Sequence, residues 1–317
     1  MSESVLVTGA SGYIGYKLCE SLFEAGEKVR VVLRNKQDGP WHNVVEADLS
    51  QDLPDDLMPG ISTVFHLAGK AHALDSPAQN EKEYFSINSD ATKNLLVAGE
   101  KAGVEKFIYF SSVKALREQT DHCLDESSET RPETVYGRSK LAAEQHVLQS
   151  SIAKRIVIRP GMVYGPECKG NLPRLVKLAQ KRYIPAFPEV SNHRSLISID
   201  DLVKTTILLA NASDIESSVF HLTEPKPYST NEIMDAIYKG LDRKQPSLTL
   251  PKTLLIILAR IGDVISRISG KPFAINSSQL QKFSGSACYT SEKVQAVPGV
   301  EIENRLNELM PRIIESL

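Results

Sequence analysis

The sequence predicts an α/β protein: a doubly wound parallel sheet with a smaller, mainly helical C-terminal domain. Three observations carry this expectation. Short apolar runs alternate with amphipathic stretches through the first half of the chain, and strands buried on both faces between helices build parallel sheets. A glycine-rich turn, Thr8–Gly15, separates the first apolar run from the first helix. After Arg159-Pro160 the texture changes: Gly165-Pro166, Gly170, Pro173, Pro185 and Pro188 punctuate the chain, and helical periodicity follows.

Taken in order, Val5–Thr8 reads as the first strand and about Gly15–Glu24 as the first helix. Strands follow at Val29–Leu33, Thr63–Leu67 and Phe107–Phe110, with a helix near Ser89–Lys101 before the last of them. Val135–Gln149 reads as a helix and Arg155–Ile158 as the next strand. Leu172–Lys181 reads as a basic helix, and Ser195–Ile199 and Val219–Leu222 as strands returning to the sheet. The helices Asn231–Gly240, Lys252–Ile268 and Arg305–Ser316 complete the chain. The expected division is 1–165 plus about 196–223 for the sheet domain, and about 166–195 plus 224–317 for the second.

A chain of 317 residues, 41% hydrophobic and 24% charged, has the composition of an ordinary globular protein with a large core. Its net charge of −2 provides no global basic field, which argues against nucleic acid as a partner. Cys19, Cys123, Cys168 and Cys288 are widely spaced, without a C-x-x-C pair or zinc spacing. They read as reduced thiols in a cytoplasmic protein, with no metal site. The N-terminus runs through acidic Glu3 into Val5-Leu6-Val7, a strand pattern and not a signal peptide. The apolar run Leu254–Ala259, flanked by Lys252 and Arg260, is too short to insert across a bilayer. Its helix reads as core or dimer surface, with a membrane-surface role as the lesser reading.

The turn Thr8-Gly9-Ala10-Ser11-Gly12-Tyr13-Ile14-Gly15 lies between a strand and a helix, the context of a Rossmann-type dinucleotide site. Gly9 permits the tight turn, Gly12 lets a pyrophosphate approach the backbone, and Gly15 lets the helix pack close. Free amides at the helix N-terminus then face the phosphates. At the end of the second strand stands Arg34 and no acidic residue. A guanidinium suits a 2′-phosphate, which favours NADP(H) over NAD(H); the other reading is a solvated arginine at a strand end. Asp48 is placed to hydrogen-bond the adenine amino group.

Tyr136 and Lys140 are four residues apart and share a helix face. A free phenol titrates near pH 10, and a neighbouring ammonium and an oxidised nicotinamide would lower that value. Tyr136 could then give a proton to a carbonyl oxygen or take one from an alcohol. Ser111-Ser112 end a strand, where sites form in doubly wound sheets. Ser112 is the preferred partner of Tyr136, and turn capping is the alternative role for either serine.

These parts, in this order, resemble the extended short-chain dehydrogenase/reductase family, the NAD-dependent epimerases, dehydratases and reductases of nucleotide sugars. The resemblance covers almost the whole chain. It rests on Thr8–Gly15, Asp48-Leu49, His66-Leu67-Ala68-Gly69, Asn88, Ser111-Ser112, Tyr136 with Lys140, Arg159–Pro166 and His193–Leu202. Lys70-Ala71-His72, Ser112-Val113-Lys114 and Lys169–Leu172 are similar to a bacterial branch of UDP-glucose 4-epimerase-like enzymes and UDP-N-acetyl-6-deoxyhexosamine 4-keto reductases. The resemblance implies that Tyr13, Ile14, Leu49, Leu67, Ala68, Gly69, Asn88, Pro160 and Val163 help to hold the cofactor. It implies that Asn171 and Arg194 hold the phosphates of a UDP-sugar, with His72 and Lys114 near the sugar. The division above then becomes a dinucleotide-binding domain and a nucleotide-sugar-binding domain. The expected activity is NADP(H)-dependent oxidoreduction at C4 of a UDP-sugar, as a 4-keto reductase. The alternatives are an NAD-dependent UDP-hexose 4-epimerase and, from another class, a non-catalytic dinucleotide sensor. A homodimer is expected from the family. Departures from the pattern are Gly69-Lys70, Ala115-Leu116-Arg117 and the stretch Tyr289–Val300.

Overall fold

The computed structural model describes residues 4–71, 81–181, 188–246, 249, 251–269, 277, 280 and 284–317. Strands β1 (Ser4–Thr8), β2 (Lys28–Leu33), β3 (Asn43–Glu46), β4 (Ile61–His66), β5 (Lys106–Phe110), β6 (Lys154–Pro160) and β9 (Ser217–Leu222) form one parallel sheet. Its order is β3-β2-β1-β4-β5-β6-β9. The direction of winding reverses between β1 and β4, and a crevice opens there at the carboxyl ends of the strands. The glycine turn after β1 forms one lip of that crevice, and the loop Leu67–Lys70 after β4 forms the other.

Both faces of the sheet are buried. Helices α1 (Tyr13–Glu24) and α6 (Ile199–Asn211) pack together on one side, over Val5, Val7, Val31, Ile108, Ile156 and Ile158. Helices α3 (Ala91–Ala102) and α4 (Val135–Gln149) contact each other on the opposite side, over Leu6, Val64, Phe107, Tyr109 and Val157. The short α2 (Glu81–Phe85) precedes a π-helical turn, Ser86–Asp90. A separate core joins Tyr164, Leu172, Val176, Tyr228, Ile233, Ile237, Leu309 and Ile313. It lies among α5 (Asn171–Ala179), α7 (Thr230–Gly240) and the C-terminal helix Leu306–Glu315. Helix α8 (Lys252–Ser269) lies between the last two in sequence.

Two expectations are corrected. The segment read as a strand returning to the main sheet is split. Among the described residues, Leu196–Ser198 is β8 and pairs in parallel with β7 (Met162–Tyr164) in a separate two-stranded sheet. Ile199, the expected strand end, instead opens α6, because Ser198 caps that helix by accepting the Asp201 amide at 3.1 Å. The four cysteines are not all thiols: Cys123 and Cys288 form a disulfide, while Cys19 and Cys168 are free and buried. The cystine partners are 165 residues apart, a distance at which spacing carries no signal. The fold brings them together because segment 286–290 runs between two others. Thr120 and Leu124 donate backbone hydrogen bonds to Ser286 and Cys288 on one side, and Ser195 donates to Ala287 on the other.

Candidate active site

Gly9 has φ +72°, and its carbonyl accepts the Gly12 amide at 3.0 Å, closing the turn. A Cβ on Gly15 would lie 2.2 Å from the Gly9 oxygen, so α1 can start this close to β1 only with glycine there. No side chain caps the N-terminus of α1, and Ser11 and Gly12 are exposed. Those amides are open to solvent and free to take an anion, so the residues fit a dinucleotide pyrophosphate. Ile14 packs into the core beneath the sheet. The Tyr13 side chain turns away from the crevice to pack on two cores, with its buried hydroxyl near Gly165 and its pKa raised by burial. Only the Tyr13 backbone is left for the turn.

Arg34 is exposed at the end of β2. Asp48 is exposed as well, and its Oδ1 accepts the Ser50 amide at 2.9 Å and the Ser50 hydroxyl at 2.7 Å. Those two bonds hold its carboxyl below the usual range, with a further contribution from the Arg34 charge. Leu49 packs against the core on the α3 side of the sheet.

The loop Leu67–Lys70 is fixed from below. His66 is fully buried between Thr8 Oγ1 at 2.6 Å and Thr92 Oγ1 at 2.9 Å, and Thr8 Oγ1 accepts the Ala68 amide at 3.1 Å. Asn88, buried in the π-turn, accepts the Lys70 amide at 2.7 Å and donates to the Lys70 carbonyl at 3.1 Å and to Ser139 Oγ at 2.9 Å. Asn88 thereby ties the loop to α4. Burial, followed by the Lys140 charge, lowers the His66 pKa from its ordinary 6.5 to about 3. The unfolded chain binds this proton below about 6.5, while the folded imidazole stays neutral down to about 3. The stabilisation is therefore complete above that window and is lost as pH falls through it, by about 1.4 kcal/mol per pH unit. In denaturant titrations, His66→Gln should flatten the pH slope of unfolding free energy across the upper part of the window. An unchanged slope would mean that His66 is not held neutral.

Helix α4 carries Tyr136 and Lys140. Glu118 anchors its start by accepting the amides of Glu133 at 2.7 Å and Thr134 at 3.0 Å, and Thr134 caps it by accepting the Gly137 amide at 3.0 Å. A Cβ on Gly137 would meet the Lys114 carbonyl at 2.4 Å. Glycine thus lets the helix press against the 3₁₀ turn Val113–Ala115 that follows Ser112. Ser112 Oγ caps that turn by accepting the Lys114 amide at 3.3 Å, and its hydroxyl lies near enough to the Tyr136 phenol to act on its pKa. Lys114, exposed, sits 5.9 Å from the Tyr136 ring centroid, and Tyr84 meets that ring edge-on at 6.3 Å.

Within the chain alone, the expected lowering of the Tyr136 pKa by Lys140 is not found. Burial pushes the phenol up to about 12, and the Ser112 hydroxyl opposes that rise. Lys140 is buried, donates to the Phe110 carbonyl at 2.8 Å, and lies 4.7 Å over the Tyr109 ring. Burial lowers its pKa to about 8 against the pull of Glu144. The two serines have different environments. Ser111 is buried and donates to Glu144, whose carboxylate also takes Arg159 Nε at 2.9 Å and Nη2 at 2.6 Å. Glu144, absent from the sequence reading, follows Tyr136 and Lys140 at the same four-residue step along α4, and that step was the signal available.

The remaining candidates lie further along the chain. Pro160 closes β6 and Val163 is in β7. Asn171 is the exposed first residue of α5, after Gly170 at φ +105°. Arg194 exchanges backbone hydrogen bonds with Tyr228 at 2.8 and 2.9 Å, and its guanidinium reaches the Gly285 carbonyl at 3.2 Å. Burial lowers its pKa. His72 lies outside the described residues. Among the described residues, no His, Cys, Asp and Glu cluster could hold a metal, and no helix is long and apolar enough to cross a membrane.

The sheet order and the crevice at its switch point define a Rossmann-type α/β protein. The family described as NAD dependent epimerase/dehydratase matches residues 5–221. The chain belongs to that family and is an enzyme of the extended short-chain dehydrogenase/reductase type. It is 30% identical to a UDP-glucose 4-epimerase of Vibrio cholerae, across 85% of this chain and 86% of that protein. It is 26% identical to an N-acetyl-alpha-D-glucosaminyl-diphospho-ditrans,octacis-undecaprenol 4-epimerase of Escherichia coli O157:H7, across 93% and 90%. The solved structure of MoeE5 in complex with UDP-glucuronic acid and NAD superposes with a TM-score of 0.77 at 26% identity, covering 98% of both chains.

Proposed function

We propose that this enzyme performs nicotinamide-dependent oxidation and reduction at C4 of a UDP-sugar, as a 4-epimerase. The observation that carries the reading is the grouping of Ser112, Tyr136 and Lys140 at the carboxyl edge of the sheet, beside a glycine turn that fits a dinucleotide. When bound, the nicotinamide supplies the acceptor and donor of the C4 hydride. Tyr136 takes the proton of the C4 hydroxyl as the ketone forms and returns it as the alcohol is remade. Ser112 holds the C4 oxygen against the phenol. Lys140 is assigned to the nicotinamide ribose, and the charge that would favour the phenolate is that of the oxidised nicotinamide. Asn171 and Arg194 are assigned to the diphosphate, for which a planar guanidinium is well suited. This assignment divides the chain into a cofactor half, 1–165 plus about 196–223, and a sugar-nucleotide half made of the rest. The intact acid–base group and the family favour catalysis over a dinucleotide sensor.

A second reading, an NADP(H)-linked 4-keto reductase, is favoured by Arg34 at the place where an acidic residue would hold the ribose of NAD. The cofactor state of the purified protein, followed by titration with NADH and NADPH, tests both. Tightly retained NAD and equilibration of UDP-glucose with its C4 epimer support the epimerase. A cofactor-free protein that prefers NADPH supports the reductase, and in that case Arg34→Glu should weaken NADPH about tenfold or more while sparing NADH. If Arg34→Glu leaves the NADPH affinity unchanged, Arg34 does not read the 2′-phosphate.

A further inference from the structure

We propose that α8 is an interfacial helix that lies on the surface of an anionic lipid bilayer. The helix buries Leu255 and Ala259 against the protein and turns the opposite arc outward. Leu254, Ile257, Ile261, Val264 and Ile265 are all exposed on that arc, with Ile257, Ile261 and Val264 at 53%, 50% and 53%. Their spacing of three and four residues puts them in one stripe along the helix. Soluble surfaces rarely present so many aliphatic side chains together.

The charge carried by this helix points to its occupant. Arg260 is exposed on the same outward arc, between Ile256 and Val264 at the i±4 positions, and Lys252 and Arg267 are the other basic residues of the helix sequence. The helix has one acidic residue, Asp263, whose carboxylate takes the Ser277 amide at 3.0 Å and hydroxyl at 2.5 Å. An outward aliphatic arc on a helix with three basic residues and one acidic residue suits the headgroup boundary, where apolar side chains are buried while cations meet anionic lipid. The net charge of the chain, −2, supplies no global attraction, so the hold is local to this helix. A second copy suits the face less well. Arg260 and Ile261 stand at the midpoint of Lys252–Ser269, and a twofold, antiparallel pairing about that midpoint would bring two arginines together.

The test is co-sedimentation of the whole protein with vesicles of phosphatidylcholine alone and with one-third phosphatidylglycerol, alongside light scattering without lipid. The proposal expects binding to the anionic vesicles only, at least tenfold loss of that binding in Ile261→Glu, and partial loss in Arg260→Gln. Both variants should keep the wild-type thermal midpoint. Failure to bind anionic vesicles overturns it, whether the protein is a monomer or a dimer that Ile261→Glu disperses. Equal binding to both vesicle types overturns the anionic preference. Vesicle binding is read without substrate, so this outcome is independent of the reaction proposed above.

Discussion

Replacing Tyr136 by phenylalanine is expected to lower turnover on a UDP-sugar by about 10²–10⁴-fold, the usual range for a lost acid–base group. Binding of the dinucleotide should remain. The substitution removes one oxygen and keeps the ring that packs edge-on against Tyr84. Burial, opposed by the Ser112 hydroxyl, pushes the phenol up to about 12, and burial, opposed by Glu144, lowers Lys140 to about 8. The positive charge of an oxidised nicotinamide would favour the phenolate. The proton can then leave Tyr136 and return to it in step with the hydride. Single-turnover kinetics on Tyr136→Phe, with cofactor affinity measured by fluorescence, checks this. Turnover within threefold of the parent would remove Tyr136 from the chemistry.

The largest expected loss of stability comes from Glu144→Ala. Glu144 and Arg159 are 2% and 5% exposed and bonded through both carboxylate oxygens. Removing the acid leaves a guanidinium buried without its counter-charge, which costs about 3–5 kcal/mol. It also strips the Ser111 hydroxyl of its acceptor. Replacing both ions with apolar residues of similar volume should recover most of the loss, since such pairs are often near neutral against a packed apolar alternative. Urea denaturation of Glu144→Ala and of Glu144→Met/Arg159→Met reads the difference. A single variant within 1 kcal/mol of the parent would mean that water reaches the arginine.

Legibility in the sequence depended on how local each cause was. The glycine turn is a short segment whose constraints act between neighbours, Gly15 against Gly9, so pattern and structure coincide. Helix α4 runs Val135–Gln149, as its periodicity predicts. Helix α6 was missed although Ser198 and Asp201 have the spacing of an N-cap, because the apolar run before them ends without a break. Strand β3 was missed because its four residues at the sheet edge are at most half-buried and lack an apolar run. At the site, Tyr136 and Lys140 could be read from one helix. The separation of the serines could not, because Ser111 is drawn into the core by Glu144, which reaches it from α4 and is itself held by Arg159 of β6. The pairing of Cys123 with Cys288 depends wholly on tertiary structure.

That pairing also bears on stability. Two thiols 165 residues apart meet where segment 286–290 lies beside Thr120 and Leu124 and beside Ser195. The native pairing is therefore the one that this packing holds together. In the chain-entropy picture, closing so long a loop limits the unfolded ensemble by about 5 kcal/mol, so the bond preserves a finished molecule. Its two residues are unequally placed, since Cys288 is 1% exposed and Cys123 is exposed. A small thiol can attack from solvent at Cys123 and expel the Cys288 thiolate inward. Reduction then needs no unfolding, and protein purified in reductant and protein purified without it are two different samples.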